Sequence, residues 1–546
     1  MNESPDDVTT GADVLVRQLI REGVDTVFGV PGLQIYGLID ALAKVRDRVS
    51  FVTPRHEQSA AYMADGYARA TGGVGVFAVV PGPGVLNAFA GLATASAAGS
   101  PVLAIVGRVP AEAQGRNTGV LHEVVAQSEM LDGVTGHRFT ARDASELPLL
   151  VHLAFRRLRT APARPVAIEV APDLLLTALS GAPPAPTEPA VGTVHHPTHA
   201  QVRATAGLLS RADDPVLYLG GGARSAAAGD AARAFAEQFD LPVLMSQNGL
   251  GAVPGSHRLA ADPLAARTLL ADADAVLAVG TRFVSQGRAL TLAESASLVL
   301  VNPDVEQLRE PRRADLAVVA DAVPFFAALT REIGGASPRR SRSGAERVEE
   351  ARAVAERASA TIAPQRAWLD AIRDGLGTQD AVLVPDFTQV GYIAPIAWSF
   401  DDWASNIAPG FQGNLGYAYA ASLGVAAGRV DRRVIAIVGD GGFGWTLPEL
   451  ATARQHRLSS TVIVFDDGAY GNVARDQQAL FEGREYGSVL VNPDFVALAE
   501  AFGIPAWRAA TELELAVSVA AAGEIDGPSL IHVPVPRFPD PWHLLL

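Results

Sequence analysis

The chain has 546 residues, a length that predicts about three domains at roughly 100–200 residues each. Its net charge of −15 argues against nucleic acid or an anionic membrane surface as a partner, and its lack of cysteine excludes disulfides, thiol nucleophiles and cysteine-ligated metals. Since no apolar run reaches the roughly 18 residues of a membrane span, and the acidic N-terminus lacks the pattern of a secretory signal, we expect a cytoplasmic protein.

The first third of the sequence alternates apolar, strand-like runs with helical segments, of which one is predicted from about Glu57 to Ala70. The strand-like runs lie at residues 26–30, 51–53, 74–80 and 102–106. Such alternation predicts βαβ units and a parallel sheet, in which ligands bind at the carboxyl ends of the strands. A site is therefore expected in the turns around Gly32, Glu57 and Gly82.

Two further sets of strand-like runs follow, separated by segments that are typical of linkers. A proline-rich linker covers 182–189, and the charged segment 334–350 is a second linker or an exposed helix start. The runs lie at 216–220, 241–245 and 275–280, and then at 381–384, 434–438, 461–465 and 529–533. The predicted fold class is α/β, with three doubly wound parallel-sheet domains at residues 1–180, 197–335 and 360–546.

Two polar turns in the last third place carboxylates at the ends of strand-like runs. The first is Gly439-Asp440-Gly441-Gly442, before a helix predicted at Thr446–Gln455, and Asp467 ends the next run. Carboxylates at neighbouring strand ends repel each other unless a cation compensates, and backbone N–H groups at a helix start bind anions. The pair therefore predicts a divalent cation held with a diphosphate, although each turn alone is also typical of an ordinary βα connection.

Three other features have a structural explanation that competes with a functional one. Glu57 at a helix start would stabilise the helix dipole, or it would hydrogen-bond to a heteroaromatic nitrogen and shift its protonation. The glycines 220–222 either cradle a nucleotide or allow tight strand–helix packing. His456 is typical of a cation at a helix end and is assigned no chemistry.

A series of landmark segments extends over nearly the whole chain: Phe28-Gly-Val-Pro-Gly32, Arg55-His-Glu57-Gln58, Ala64-Asp-Gly-Tyr-Ala-Arg69, Gly82-Pro-Gly84 with Asn87, Gly413-Asn-Leu-Gly416, and Gly439-Asp440-Gly441 with Asp467. In this order they resemble the thiamine diphosphate-dependent enzymes of the acetolactate synthase, pyruvate oxidase and benzoylformate decarboxylase type. The resemblance implies a pyrimidine-binding first domain, a middle Rossmann-like domain and a last domain that binds the diphosphate and its metal. It also implies a homodimer or homotetramer, because the family's cofactor lies between subunits.

The resemblance further implies roles for individual residues. Glu57 falls on the catalytic glutamate, and Leu415 falls on the apolar residue that bends the cofactor. Asp440, Asp467 and the Ala469 carbonyl fall on the ligands of the metal, usually Mg²⁺. The other residues expected to contact the cofactor are Gly32, Gly82, Asn87, Thr388, Gln389, Gly413, Gly439, Gly441, Gly442, Tyr470 and Gly471.

The implied reaction begins with decarboxylation of a 2-oxo acid to an enamine, for which the cofactor's ring is the electron sink. We expect carboligation of the acetolactate synthase kind, in which the enamine adds to a second carbonyl compound. The alternatives are a non-ligating 2-oxo acid decarboxylase, a flavin-dependent oxidase and a catalytically silent regulatory subunit.

Three positions depart from the family pattern in ways that bear on the chemistry. Asp467 stands where the second metal ligand is usually asparagine, which adds a negative charge near the diphosphate. His122 stands where acetolactate synthases tend to have glutamine, and it either moves protons as a catalytic residue or packs at an interface. The segment Arg282–Gln286 lacks the acidic residue typical of flavin-bearing members, which disfavours bound FAD.

Overall fold

Three predominantly parallel sheets organise the computed structural model, which describes residues 9–180, 184–285, 288–309, 311, 314–334 and 340–545. Each sheet has helices packed against it, so the predicted fold class is confirmed. The boundaries at 1–180, 197–335 and 360–546 stay predictions, and parts of both predicted linkers lie outside the described residues. Within those residues, no helix combines the length and apolar character needed to cross a bilayer.

The first sheet has six parallel strands in the order β2-β1-β3-β4-β6-β5. They are β1 (Thr26–Gly29), β2 (Ser50–Val52), β3 (Gly75–Val79), β4 (Val102–Gly107), β5 (His137–Thr140) and β6 (Val166–Val170). The α-helices are α1 (Gly11–Arg21), α2 (Tyr36–Ala43), α3 (Glu57–Thr71), α4 (Pro83–Ala98), α5 (Gln127–Val134), α6 (Leu147–Leu158) and α7 (Pro172–Leu176). The central strands are continuous apolar runs because helices bury both of their faces.

The middle sheet also has six parallel strands, in the order β14-β13-β10-β7-β8-β9, with the short antiparallel pair β11–β12 beside it. The strands are β7 (Pro215–Leu219), β8 (Val243–Met245), β9 (Ala260–Ala261), β10 (Ala275–Val279), β11 (Val284–Ser285), β12 (Arg288–Ala289), β13 (Ser297–Val301) and β14 (Leu316–Val318). The helices are α8 (His199–Arg211), α9 (Ala226–Phe239), α10 (Pro263–Asp272) and α11 (Ala322–Ile333).

The last sheet has five parallel strands in the order β15-β16-β17-β19-β18. They are β15 (Ala381–Pro385), β16 (Arg433–Gly439), β17 (Thr461–Asp466), β18 (Ala506–Arg508) and β19 (Ser529–Pro534). The helices from the second linker onwards are α12 (Gly344–Ala358), α13 (Ala363–Leu376), α14 (Gln389–Ala397), α15 (Tyr417–Gly428), α16 (Asp440–Thr446), α17 (Glu449–His456), α18 (Gly471–Leu480), α19 (Phe495–Ala501), α20 (Glu512–Gly523) and α21 (Trp542–Leu545).

The helix predicted at Thr446–Gln455 is wrong in its bounds. The chain enters α16 at Asp440 itself, and α16 ends before Pro448, after which α17 begins. Proline has no N–H to donate into a preceding turn, so it separates the two helices. Asp440 is therefore the first residue of a helix and not part of the turn that precedes one.

The first and last domains pack together through α3 and α15, whose backbones touch. A Cβ atom on Gly66 would lie 2.2 Å from the Ala421 carbonyl oxygen, and one on Gly424 would lie 1.9 Å from the Met63 carbonyl oxygen. Such distances leave no room for a side chain, so glycine at both positions allows the two helices to approach.

Buried polar groups strengthen the same interface between the first and last domains. Tyr417 of α15 donates to the Asp65 carboxylate at 2.5 Å, and Arg69 donates to the Tyr417 hydroxyl at 2.9 Å. His456 accepts from the Thr53 N–H at 3.1 Å, and burial followed by the charge of Arg55 lowers the pKa of its imidazole. The interpretation of His456 as a helix-end cation is therefore wrong, because it is a neutral acceptor between domains.

We expect Gly424→Ala to destabilise the protein, since the new methyl group would press on the Met63 carbonyl. Overpacking of this kind lowers the free energy of unfolding by about 1–3 kcal/mol, more than alanine gains through helix propensity. Scanning calorimetry should show a lower unfolding midpoint. Gly133→Ala in α5 is the matched control, because a Cβ there would meet no atom within 4 Å. Equal midpoints for the two variants would contradict the close approach of α3 and α15.

Candidate active site

Glu57 and Asn87 meet at the carboxyl edge of the first sheet. Glu57 is the first residue of α3, and the His56 ring caps this helix by accepting from the Gln58 N–H at 3.2 Å. Asn87, one turn into α4, donates from its side-chain amide to Glu57 Oε2 at 2.9 Å. Glu57 is half-buried and Asn87 is exposed, so the pair faces outward from the chain.

The turn before α4 carries Gly82 and connects this pair to His122. Gly82 has φ +59°, and a Cβ there would lie 2.5 Å from the His122 carbonyl oxygen. Its N–H donates to the buried Gln127 side chain at 2.9 Å. A Cβ atom on Gly84, in the first turn of α4, would lie 3.7 Å from Glu57 Oε1. Gly82, Glu57, Asn87 and His122, which the sequence singled out separately, are therefore neighbours.

Gly32 lies at the same edge, directly before a short 3₁₀ helix, Leu33–Ile35. Its α-carbon packs against Val80, which precedes the Gly82 turn. Within that helix Gln34 contacts the His122 ring, with 3.0 Å between Gln34 Oε1 and His122 Nδ1. Sequence reasoning missed Gln34 and Gln127, because neither belongs to a glycine-rich turn or carries a charge.

Asp440 and Asp467 lie at the carboxyl ends of β16 and β17, which pair directly in the last sheet. Asn492 donates to Asp440 Oδ2 at 2.6 Å and to Asp466 Oδ1 at 2.8 Å. Gln389 at the start of α14 donates to Asp467 Oδ2 at 2.9 Å. Sequence reasoning missed Asn492, which comes from a distant loop with no recognisable motif.

The remaining residues predicted for the diphosphate side lie around these carboxylates. The Tyr470 ring packs on the α-carbon of Gly441, and Thr388 packs on that of Gly439. Ala469 is buried and forms a β-bridge with Val489. The other close neighbours are Gly442, which approaches Asp386, and Gly471, which approaches Asp467.

The electrostatics of these carboxylates fit a bound divalent cation. Burial raises the pKa of Asp440 to about 7, and the nearby charges of Asp467 and Asp466 add to the rise. Burial also raises the pKa of Asp467. A cation would relieve both effects. Among the described residues no three histidine, aspartate or glutamate side chains form a complete metal site, so a cation here needs backbone and ligand oxygens as well.

Leu415 lies in a loop of the last domain that contacts the first domain. The loop turns through Gly413 and Gly416, with φ of +62° and +79°. Between them, Asn414 donates to the Thr94 hydroxyl of α4 at 2.8 Å. Below the loop, burial raises the pKa of Asp386 to about 6, while backbone N–H groups that include Ala418 donate to its carboxylate. Leu415 is half-buried and lies two residues before α15 begins.

The middle-domain glycines border a cavity of about 320 Å³ that also contains Arg282. The Arg282 guanidinium lies over the Phe411 ring of the last domain, 4.8 Å from its centroid. Phe283 is buried with φ +50°, and Gln286 lies outside the described residues. The sequence argument against FAD stays a prediction.

Comparison with known proteins identifies the same three regions in the same order. The matching family models are the thiamine pyrophosphate enzyme N-terminal TPP binding domain at residues 9–130, central domain at 202–329 and C-terminal TPP binding domain at 389–533. Thiamine pyrophosphate (TPP) is another name for thiamine diphosphate.

Similar proteins include acetolactate synthases and a decarboxylase. The "Probable 2-ketoarginine decarboxylase AruI" of Pseudomonas aeruginosa is 33% identical, over 91% of this chain and 89% of that protein. The acetolactate synthase isozyme 2 large subunit of Escherichia coli is 31% identical, over 98% and 97%. The acetolactate synthase large subunit of Parasynechococcus marenigrum is 31% identical, over 97% and 88%. The chain therefore belongs to the thiamine pyrophosphate enzymes, within their decarboxylase and carboligase group.

Proposed function

We propose that this protein is a Mg²⁺- and thiamine diphosphate-dependent carboligase. It would decarboxylate a 2-oxo acid and join the remaining acyl unit to a second carbonyl compound, as its acetolactate synthase relatives do by name. The observation that carries the proposal is the carboxylate pair Asp440 and Asp467 at adjacent strand ends, on a chain that also pairs Glu57 with Asn87.

The last domain would hold the diphosphate through the metal. Asp440, Asp467 and the Ala469 carbonyl would bind Mg²⁺. Because Gln389 donates to Asp467 Oδ2, Oδ1 is the oxygen left for the cation. Thr388 and the turn around Gly441 would border the diphosphate. Bound thiamine diphosphate supplies a cationic ring that takes up the electron pair left when carbon dioxide departs.

The first domain would place a proton-sharing carboxylate at the aminopyrimidine. Asn87 donates to Glu57 Oε2, which orients the carboxylate and leaves Oε1 to share a proton with a ring nitrogen. Leu415 would contribute apolar bulk against the cofactor, in a loop that Asn414 ties to α4. The loop is therefore fixed before any cofactor binds.

A complete site would need two copies of the chain. Within the described residues, neither Glu57 nor Asn87 makes a hydrogen bond to the last domain. Large apolar side chains near the Glu57 edge are also solvent-exposed, and a second subunit would cover them: Leu33 (55% exposed), Tyr36 (57%), Leu121 (57%) and Val125 (68%). These two observations support at least a homodimer with sites between subunits.

Simple decarboxylation is the second candidate, and His122 favours it. Its backbone packs on the Gly82 turn, and its imidazole could deliver a proton in place of a second carbonyl compound. The 33% identity to a relative named as a probable 2-ketoarginine decarboxylase points the same way.

Incubation with a panel of 2-oxo acids, alone and with aldehydes, should separate these functions by mass spectrometry. We expect a ligated product that forms only when thiamine diphosphate and Mg²⁺ are both present. The panel should include pyruvate and 2-ketoarginine. Aldehyde as the sole product would favour the decarboxylase, and hydrogen peroxide with a yellow protein would favour a flavin oxidase. No product from any 2-oxo acid would contradict the proposed function.

Asp467→Asn should weaken Mg²⁺ binding without abolishing it, because an amide oxygen remains but one negative charge is lost. We expect a several-fold higher Mg²⁺ concentration for half-maximal thiamine diphosphate binding, read by quenching of intrinsic fluorescence. Asp476→Asn, an exposed carboxylate on α18, is the matched control and should match the wild type. Identical Mg²⁺ dependence in all three proteins would remove Asp467 from the metal site.

Mixing Glu57→Gln with Asp440→Ala should restore activity that neither variant has alone. Each variant removes one half of the site, so a hybrid dimer would retain one site with both halves intact. Random exchange of subunits would give roughly a quarter of wild-type activity. The mixture is unfolded and refolded together before assay, with each variant treated alone as the control. Failure of the refolded mixture, while refolded wild type is active, would place both halves in one subunit.

A further inference from the structure

The side chain of Gln34 makes two hydrogen-bond contacts in the loop that carries His122. Gln34 is 3% exposed, in the 3₁₀ helix that follows Gly32. Its Nε2 donates to the Leu121 carbonyl at 3.0 Å, and its Oε1 lies 3.0 Å from His122 Nδ1. One buried amide therefore contacts the backbone and the ring of adjacent residues.

The first contact fixes which way the amide of Gln34 points. A carbonyl oxygen only accepts, so the atom that faces Leu121 must be the amide nitrogen. The flipped amide would set two oxygens about 3.0 Å apart with no proton between them. Gln34 Oε1 therefore faces His122, and it can only accept. The proton between the two side chains must come from Nδ1.

This arrangement determines the state of the opposite ring nitrogen. A neutral imidazole with its proton on Nδ1 has a free lone pair on Nε2. Within the described part of the chain, Nε2 makes no hydrogen bond, and the ring is only half-buried. Nε2 is thus the atom with which His122 can take a proton from a bound substrate or return one.

The backbone around His122 is itself constrained. His122 has φ +68°, a conformation that few non-glycine residues adopt unless their surroundings impose it. Its carbonyl packs against Gly82, and the Glu123 carboxylate accepts from the Gly119 N–H at 2.9 Å and the Asn117 N–H at 3.1 Å. The position and the tautomer of the ring are therefore both constrained.

We infer that Gln34 is a positioning residue that fixes the Nδ1–H tautomer of His122 and so keeps Nε2 as the proton-accepting atom of the site. The inference rests on the proposed function, because His122 moves a proton only when a substrate binds beside it. Gln34 itself touches no reacting atom and acts through the imidazole.

Nitrogen-15 NMR of histidine-labelled protein tests the tautomer directly, with His122→Ala used to assign the signal. We expect an Nδ1–H ring in the wild type, in which the Gln34 amide oxygen accepts from Nδ1. In Gln34→Met we expect a shift toward the Nε2–H form, since the acceptor is gone. An Nε2–H ring in the wild type, or an unchanged spectrum in Gln34→Met, would overturn the inference.

Kinetics separate positioning from a merely structural role. Gln34→Met should lower kcat by roughly tenfold or more and change KM by less than about twofold. In a His122→Ala background the same substitution should change nothing, because the two residues act as one unit. An equal loss of kcat in both backgrounds would make Gln34 structural and overturn the inference.

The matched control is Gln18→Met, which removes another buried glutamine of the first domain. Gln18 donates to the Thr187 carbonyl at 3.3 Å and to Glu22 at 3.0 Å, in the packing of α1 and not at the site. Its kcat should equal that of the wild type. If the wild type turns over no 2-oxo acid, the proposed function fails, yet the NMR result still decides what Gln34 does to His122.

Discussion

The backbone contact between α3 and α15 is the constraint on which the rest of the structure depends. Gly66 and Gly424 let the two helices touch, and the buried Asp65, Tyr417 and Arg69 add directional hydrogen bonds to the contact. Because α3 begins at Glu57 and α15 begins just after Leu415, the helix pair fixes these two residues relative to each other within one chain, although the proposed dimer would use them in different sites. A shift of this contact would move both, which makes the small residues of the interface as important to the site as the polar ones.

The carboxylates of the last domain are held in a way that leaves them ready for a cation. Side-chain amides donate hydrogen bonds to these carboxylates: Asn492 donates to Asp440 and Asp466, and Gln389 donates to Asp467. Hydrogen bonds that include one from His532 hold the pKa of Asp466 below its usual value despite its burial. Burial instead raises the pKa of Asp440 to about 7 and also raises that of Asp467. Interactions within the chain therefore offset the burial of Asp466 but not that of Asp440 or Asp467, and a cation would supply the missing compensation.

The sequence predicts the parts of the site that follow from chain geometry. Asp440 and Asp467 end neighbouring parallel strands, so their proximity follows from the fold class alone. Contacts made by uncharged side chains across long separations carry no such signal, which is why Asn492 and Gln34 escaped prediction. Of the strands that the sequence analysis did not predict, β5 is half-buried along its whole length, so it lacks the apolar run that marked the central strands. His456 was misread because its acceptor role depends on Thr53 in another domain.

The proposed chemistry divides unequally between the two halves of the site. The last-domain half would bind cation and diphosphate, a task that does not depend on the substrate, and its residues therefore say little about the substrate. The first-domain half would meet the reacting carbonyl. There the electron pair left by carbon dioxide would go either to a second carbonyl compound or to a proton. His122, oriented by Gln34, is a protonatable side chain whose backbone packs on the Gly82 turn. The balance between ligation and decarboxylation would therefore depend on the Gln34–His122 pair more than on the carboxylates.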